Sequence, residues 1–322
     1  MRTSTVVAAA VASGWLMLAA SPQAVAQGAL ETSKRIESAI DFHVHSAPDA
    51  FARNISDIEV AELAARRGMR ALVLKNHITA TADRAALVAE VVPGIEVFGG
   101  VVLNHAVGGL NPAAIEVMAT MSGGRGKVVW LPTRDAQHNI DRFGGSGEGI
   151  RVAENGEVTS ETEAVLQKIK EHDLVLHTGH VSPDEIMAVI GRAKELGIDK
   201  IAITHAMADV PGMSIEQMKQ AAAEGALLEL VFLNHLMGPN SHLEWMHEWS
   251  QVSIADMAAA IKEVGPDHFI LASDLGQSGN PIHPDGYEML VRGLEAEGIP
   301  AKDIGKMMSD NPARLLGLDN DD

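Results

Sequence analysis

The sequence predicts an α/β protein folded as one (β/α)8 barrel, and three observations lead there. Apolar runs of strand length alternate with amphipathic helical stretches, eight such runs occur, and residues 27–322 have the length that a single α/β barrel commonly fills. The runs are Ala39 to Val44, Ala71 to Leu74, Ile95 to Leu103, Lys127 to Leu131, Leu174 to Leu176, Lys200 to Thr204, Leu227 to Leu233 and Phe269 to Ser273. Segments this apolar suit burial on both faces, the habit of parallel strands covered by helices.

Ahead of the first run, Met1-Arg2, the apolar stretch Val6 to Ala20 and Ala24-Val25-Ala26 form a secretory signal with cleavage before Gln27. The apolar stretch falls short of the roughly 20 residues that a membrane anchor needs, and Ser13 and Gly14 interrupt it. The expectation is an exported chain, periplasmic or secreted, with no membrane attachment after cleavage of residues 1–26. A lead-in helix is expected near Leu30 to Ser38.

Helix starts are marked by Ser160-x-x-Glu163, Ser182-Pro183-x-Glu185 and Ser214-x-x-Gln217, which have the form of capping boxes, and more weakly by Ser253-x-x-Asp256. Gly197, Gly225 and Gly265 fall where C-terminal caps belong. No repeat or Pro/Ser-rich linker breaks the series, so residues 27–322 read as one domain. The long stretch Pro132 to Thr159, with a turn at Glu154-Asn155-Gly156, reads as irregular and as a lid or rim.

A formal charge of −18 argues against nucleic acid as a partner, because a polyphosphate would be repelled. A small molecule is the expected partner, and self-association into a homo-oligomer is compatible with the composition. There are no cysteines, so any metal must be held by nitrogen and oxygen.

Chemistry in such a barrel sits where the strands end. In the first run Asp41, His43 and His45 alternate onto one side, and two neutral imidazoles one strand-step apart can take adjacent positions around one divalent cation. Later runs end in Lys75-Asn76-His77, Asn104-His105, His177-Thr178-Gly179-His180, His205, Asn234-His235 and Asp274. Eight of the 14 histidines stand at these ends, a concentration that chance placement does not give. A lone strand-end histidine is more often a satisfied core or loop residue, which is the first reading of His77, His105 and His235. His180, on a short Gly-containing turn, is a further catalytic candidate, and His283 is placed to line the pocket.

The ordered set of His43-x-His45, His177, His205 and Asp274, with the closing segment Asn311-Pro312-Ala313-Arg314-Leu315-Leu316-Gly317-Leu318, resembles the amidohydrolase superfamily over essentially all of the mature chain. The resemblance implies a (β/α)8 barrel, one or two divalent metals per chain and hydrolysis at carbon, with His43, His45, His177, His205 and Asp274 as metal and catalytic positions. It also shows a departure. Two-metal members carry a carboxylated lysine or a glutamate at the end of the fourth strand, whereas this run ends Trp130-Leu131-Pro132-Thr133. Lys75 is the nearest substitute: carboxylation would make it an anionic ligand, and otherwise it stays cationic against a carboxylate such as Asp41 or an anionic substrate.

The implied roles follow from charge. Zn2+ is the first expectation, with Mn2+ or Fe2+ as alternatives, and such an ion lowers the pKa of bound water to about 7. Asp274 would carry the proton from that water to the leaving group. His205 would be a ligand in a two-metal site or a donor to the developing oxyanion in a one-metal site. The expected reaction is hydrolysis of a small amide, ester or lactone. Its rivals are decarboxylation at a one-metal site and ligand binding without turnover. Arg53, Arg134, Arg142 and Arg151 suggest a carboxylate-bearing substrate and Trp245 and Trp249 an apolar part, although a solvated rim and one amphipathic helix face account for the same residues.

Overall fold

The structure, a computed structural model, describes residues 34–145 and 147–318. Its sheet runs β1 Ile40–Val44, β2 Ala71–Leu74, β3 Glu96–Val102, β4 Gly126–Trp130, β5 Val175–His177, β6 Ile201–Ile203, β7 Leu227–Val231 and β8 Phe269–Ala272. Each strand pairs in parallel with the next, Ile40 opposite Ala71, Trp130 opposite His177 and Leu228 opposite Phe269. The ring closes at its C-terminal rim, where Asp274 N donates to His43 O at 2.9 Å and His45 N to Leu275 O at 3.0 Å. Helices lie between the strands, so the single-domain (β/α)8 barrel expected from the alternation is what the chain forms.

The strands are buried almost throughout, which is why the sequence shows runs rather than alternation. The connecting helices bury one stripe. In Pro183–Glu195 the buried apolar residues Ile186, Val189, Ile190 and Ala193 recur at helical spacing, and Ser182 and Glu185 close the first turn as a capping box. Full burial of a side chain such as Ile186 is worth about 1.5–3 kcal/mol.

The structure departs from the local expectations in four places. Thr159 caps the helix Ser160–Glu171, its hydroxyl accepting from Thr162 N at 3.2 Å, so Ser160 falls inside the first turn. The apolar run after Leu227 leaves the strand at Val231 because Phe232 turns into helical backbone, and Leu233–Leu236 is a short helix. Residues 132–159 are not wholly irregular: they hold a helix, Gln137–Phe143, and a hairpin of Ala153–Glu154 with Glu157–Val158, turning at Asn155-Gly156 with φ of 53° and 84°. Arg35–Ser38, the described end of the expected lead-in helix, is a turn, and the expected signal over residues 1–26 lies outside the described residues. Among the described residues no helix is long and apolar enough to cross a membrane.

Candidate metal centre at the barrel mouth

His43 and His45 reach the rim from the end of β1, and Asp274 reaches it from the end of β8. His43 Nε2 and His45 Nε2 each lie 3.1 Å from the same oxygen, Asp274 Oδ1. All three side chains are buried. The opposite nitrogen of each ring is already committed: His45 Nδ1 donates to Lys75 O at 3.0 Å, and His43 Nδ1 donates to Glu229 Oε2 at 3.2 Å. Burial holds both rings well below the ordinary histidine range, helped by Lys75 and His205 for His43 and by Arg53 and His43 for His45, so both are neutral. A neutral ring with Nδ1 protonated presents a lone pair at Nε2.

Two lone pairs therefore face one carboxylate oxygen, an arrangement that repels unless something positive lies between them. Lys75 Nζ, 3.0 Å from His43 Nε2, supplies part of that charge. Burial pushes Lys75 down and Asp274 up from their ordinary values, each opposed by attraction to the other. A divalent cation satisfies all three donors together, and histidines that ligate metals characteristically donate their second N–H to a carboxylate or backbone carbonyl, as both do here. The donor set fits a divalent cation.

A second pair of rings faces the same cavity. His180 Nε2 and His205 Nε2 are 3.2 Å apart, and His180 Nδ1 donates to Asn139 Oδ1 at 2.9 Å. Burial holds His180 well below its usual value and His205 down at about 4, with Lys75 adding to both effects. Close approach places His180. Gly179, at φ 63°, passes so near Leu131 O that a Cβ would sit 2.2 Å from it. Gly276 does the same for the rim, because a Cβ there would stand 1.8 Å from His45 O. His205 and Asp274 themselves hold positive φ, 27° and 53°, a strain of about 1–3 kcal/mol each that tends to collect at functional sites.

His177 does not join this group. Its Nδ1 lies 2.5 Å from Thr204 Oγ1, its Nε2 is 3.6 Å from Glu229 Oε1, and its ring packs against Phe42 and Trp130. It lies fully buried and off the cavity wall, whereas His180 lines the wall. His77 also lines the wall, with Nδ1 on Thr133 Oγ1 at 2.9 Å. His283 is fully buried instead, its Nε2 within 2.9 Å of His45 O and 2.8 Å of Leu275 O.

Glu229 is the residue that sequence reasoning passed over. It is fully buried, accepts from His43 Nδ1 and, at 3.0 Å, from His205 N, and so ties β1 to the turn that follows β6. The signal was there: one carboxylate inside Leu-Leu-Glu-Leu-Val demands a buried partner. Asn139 was hidden because its helix lay in a stretch read as irregular.

A family model described as a family of unknown function, DUF6282, matches residues 38–229. No curated protein matches the sequence. Solved structures share the fold. An amidohydrolase from Pseudomonas aeruginosa is 14% identical with a TM-score of 0.58, the match covering 86% of this chain and 95% of that one. An organophosphorus hydrolase from Deinococcus radiodurans is 16% identical with a TM-score of 0.57, covering 88% and 94%. A 2,6-dihydroxybenzoate decarboxylase from Rhizobium is 12% identical with a TM-score of 0.54, covering 88% and 100%. The chain thus shares its barrel with these solved structures.

Proposed function

This chain belongs to DUF6282, a family of unknown function, and from the geometry of its barrel mouth we propose that it is a metal-dependent hydrolase of a small amide, ester or lactone. The observation that carries the reading is the buried convergence of His43 Nε2, His45 Nε2 and Asp274 Oδ1, three donor atoms close enough to share one cation. The likeness in fold to an amidohydrolase and an organophosphorus hydrolase supports it. Zn2+ suits two imidazoles and a carboxylate, and Mn2+ or Fe2+ would accept the same set.

His43, His45 and Asp274 would hold the cation, which when bound supplies Lewis-acid activation of water and of the scissile carbonyl. The rest falls to the chain. Asp274, beside the cation and facing the cavity, takes the proton that the attacking water gives up and passes it to the leaving nitrogen or oxygen. Water thereby divides across the bond, its hydroxyl on the acyl carbon and its proton on the leaving group. His205, neutral and with its Nε2 3.2 Å from the Nε2 lone pair of His180, supplies its Nε2–H for the developing oxyanion. Glu229 fixes the His43 tautomer.

A second cation is a further reading, favoured by the His180 Nε2 to His205 Nε2 approach and by the burial that drives the Lys75 amine toward its neutral, carboxylatable form. His180, His205 and a carboxylated Lys75 would then be its ligands. The experiment that tests the function is a screen of the zinc-loaded chain and its Asp274→Asn variant against amides, esters, lactones and aromatic acids. Turnover of an acyl substrate that the variant loses supports the proposal. Release of CO2 from an acid, or binding without turnover, contradicts it.

A further inference from the structure

The cavity before the metal group encloses about 720 Å3, and its walls differ in character. On one part stand Phe51, Arg53 and Arg134, the Arg134 guanidinium carbon 4.1 Å above the Phe51 ring centroid and that of Arg53 5.9 Å from it. On another stand Trp245, nearly half exposed, and Trp249, whose ring stacks on Phe143 at 4.2 Å. Arg53 is already paired, its Nε donating to Asp49 Oδ2 at 2.7 Å. Arg134 is not. Among the described residues its guanidinium makes no hydrogen bond or ion pair, and Asp49 and Asp135 attract it only from farther off, Asp49 holding Arg53 and Asp135 accepting from His105 N at 2.7 Å.

The backbone of Arg134 is tied to two of the rings on the cavity wall. Asn139 accepts from His180 Nδ1 through Oδ1 and donates from Nδ2 to Arg134 O at 3.1 Å, and Thr133, one residue earlier, holds His77. A guanidinium without a hydrogen-bonded partner, over an aromatic ring and drawn only from a distance by Asp49 and Asp135, keeps its N–H groups for a bidentate anion. In a chain of net charge −18 such a group is a local exception rather than part of a basic surface.

We propose, resting on the hydrolase reading above, that the substrate carries a carboxylate seated on Arg134 beside Arg53, with its apolar body against Trp245 and Trp249. The substrate class is then an amphipathic acid containing the hydrolysable amide, ester or lactone. Arg134 binds and orients, and the chemistry stays with Asp274.

Calorimetry on the zinc-loaded full chain tests this with N-acetyl-phenylalanine, its neutral isostere N-acetyl-phenylalaninamide, and phenyl phosphate. The expected result is tighter binding of the acid than of the amide by about tenfold, a preference that falls close to unity in Arg134→Gln and is partly kept in Arg134→Lys. Equal binding of acid and amide, or no binding of the acid, overturns the proposal. So does a preference that survives Arg134→Gln, which would put the carboxylate on the cation, and so does tighter binding of phenyl phosphate, which would reassign the anion. Melting curves show whether Arg134→Gln folds, and Arg134→Lys carries the test if it does not. An intact acid preference without turnover of any acyl substrate would sink the hydrolase reading alone.

Discussion

His43 and Glu229 meet inside the barrel with Nδ1 3.2 Å from Oε2, the histidine at the rim of β1 and the carboxylate, fully buried, on β7. The contact turns the His43 lone pair toward Asp274. Glu229→Gln keeps the shape and removes the charge, so metal affinity should fall by about 10–100-fold. Competition with a calibrated chelator measures it, and an unchanged affinity would remove Glu229 from the account.

Asp41 shows its own pH signature. Burial pushes its carboxyl up from 3.8 to about 7, against hydrogen bonds from Ser273 and the His43 backbone. Below pH 4 both folded and unfolded chains hold this proton. Between roughly 4 and 7 the unfolded chain gives it up first, so native stability falls as pH rises, and the loss is complete above 7. Asn at this position has no such proton. The difference in Tm between Asp41→Asn and the wild type, both metal-free, should therefore grow in favour of the variant from pH 4 to 7 and then level off. A difference that is flat across that window contradicts the assignment.

Gly276 lets the loop after β8 pass beneath the His45 carbonyl. Gly276→Ala, strained at φ 123° and in collision with that oxygen, should cost about 2–4 kcal/mol in urea unfolding and weaken metal binding as His45 moves. Stability within about 0.5 kcal/mol of the wild type, the range of a neutral surface change, would show that the approach is looser than the geometry describes.

Lys75 separates the one-cation and two-cation sites. If it joins His180 and His205 as a carboxylated ligand, Lys75→Ala should lower the metal content by one ion per chain, with bicarbonate unable to restore it. Elemental analysis after saturation with zinc measures it. An unchanged content would leave Lys75 as the partner of His43 and Asp274.

Much of this was legible from residue types. Eight apolar runs gave the barrel, and the polar residues that end them include His43, His45, His180, His205 and Asp274, all on the cavity wall. Periodicity fails at two kinds of place. It assigned His177 and His180 to one strand end without resolving that three residues and the bend at Gly179 leave one ring fully buried and put the other on the cavity wall. It also missed partners supplied from elsewhere in the chain: Glu229 sits inside an apolar run, and Asn139 on a seven-residue helix in a stretch that shows no pattern. The pairing of Trp245 and Trp249 on one helical face is corrected for the same reason. Only a single 3-10 turn, Glu244–Met246, forms there, yet both rings line the cavity.

The most direct test is zinc uptake by the purified chain, followed by equilibrium dialysis beside His43→Ala, His45→Ala and Asp274→Asn. The account predicts at least one tightly held ion in the wild type and its loss or marked weakening in each variant, with all four proteins folded. A wild type that takes up no ion, or variants that bind as the wild type does, would contradict it.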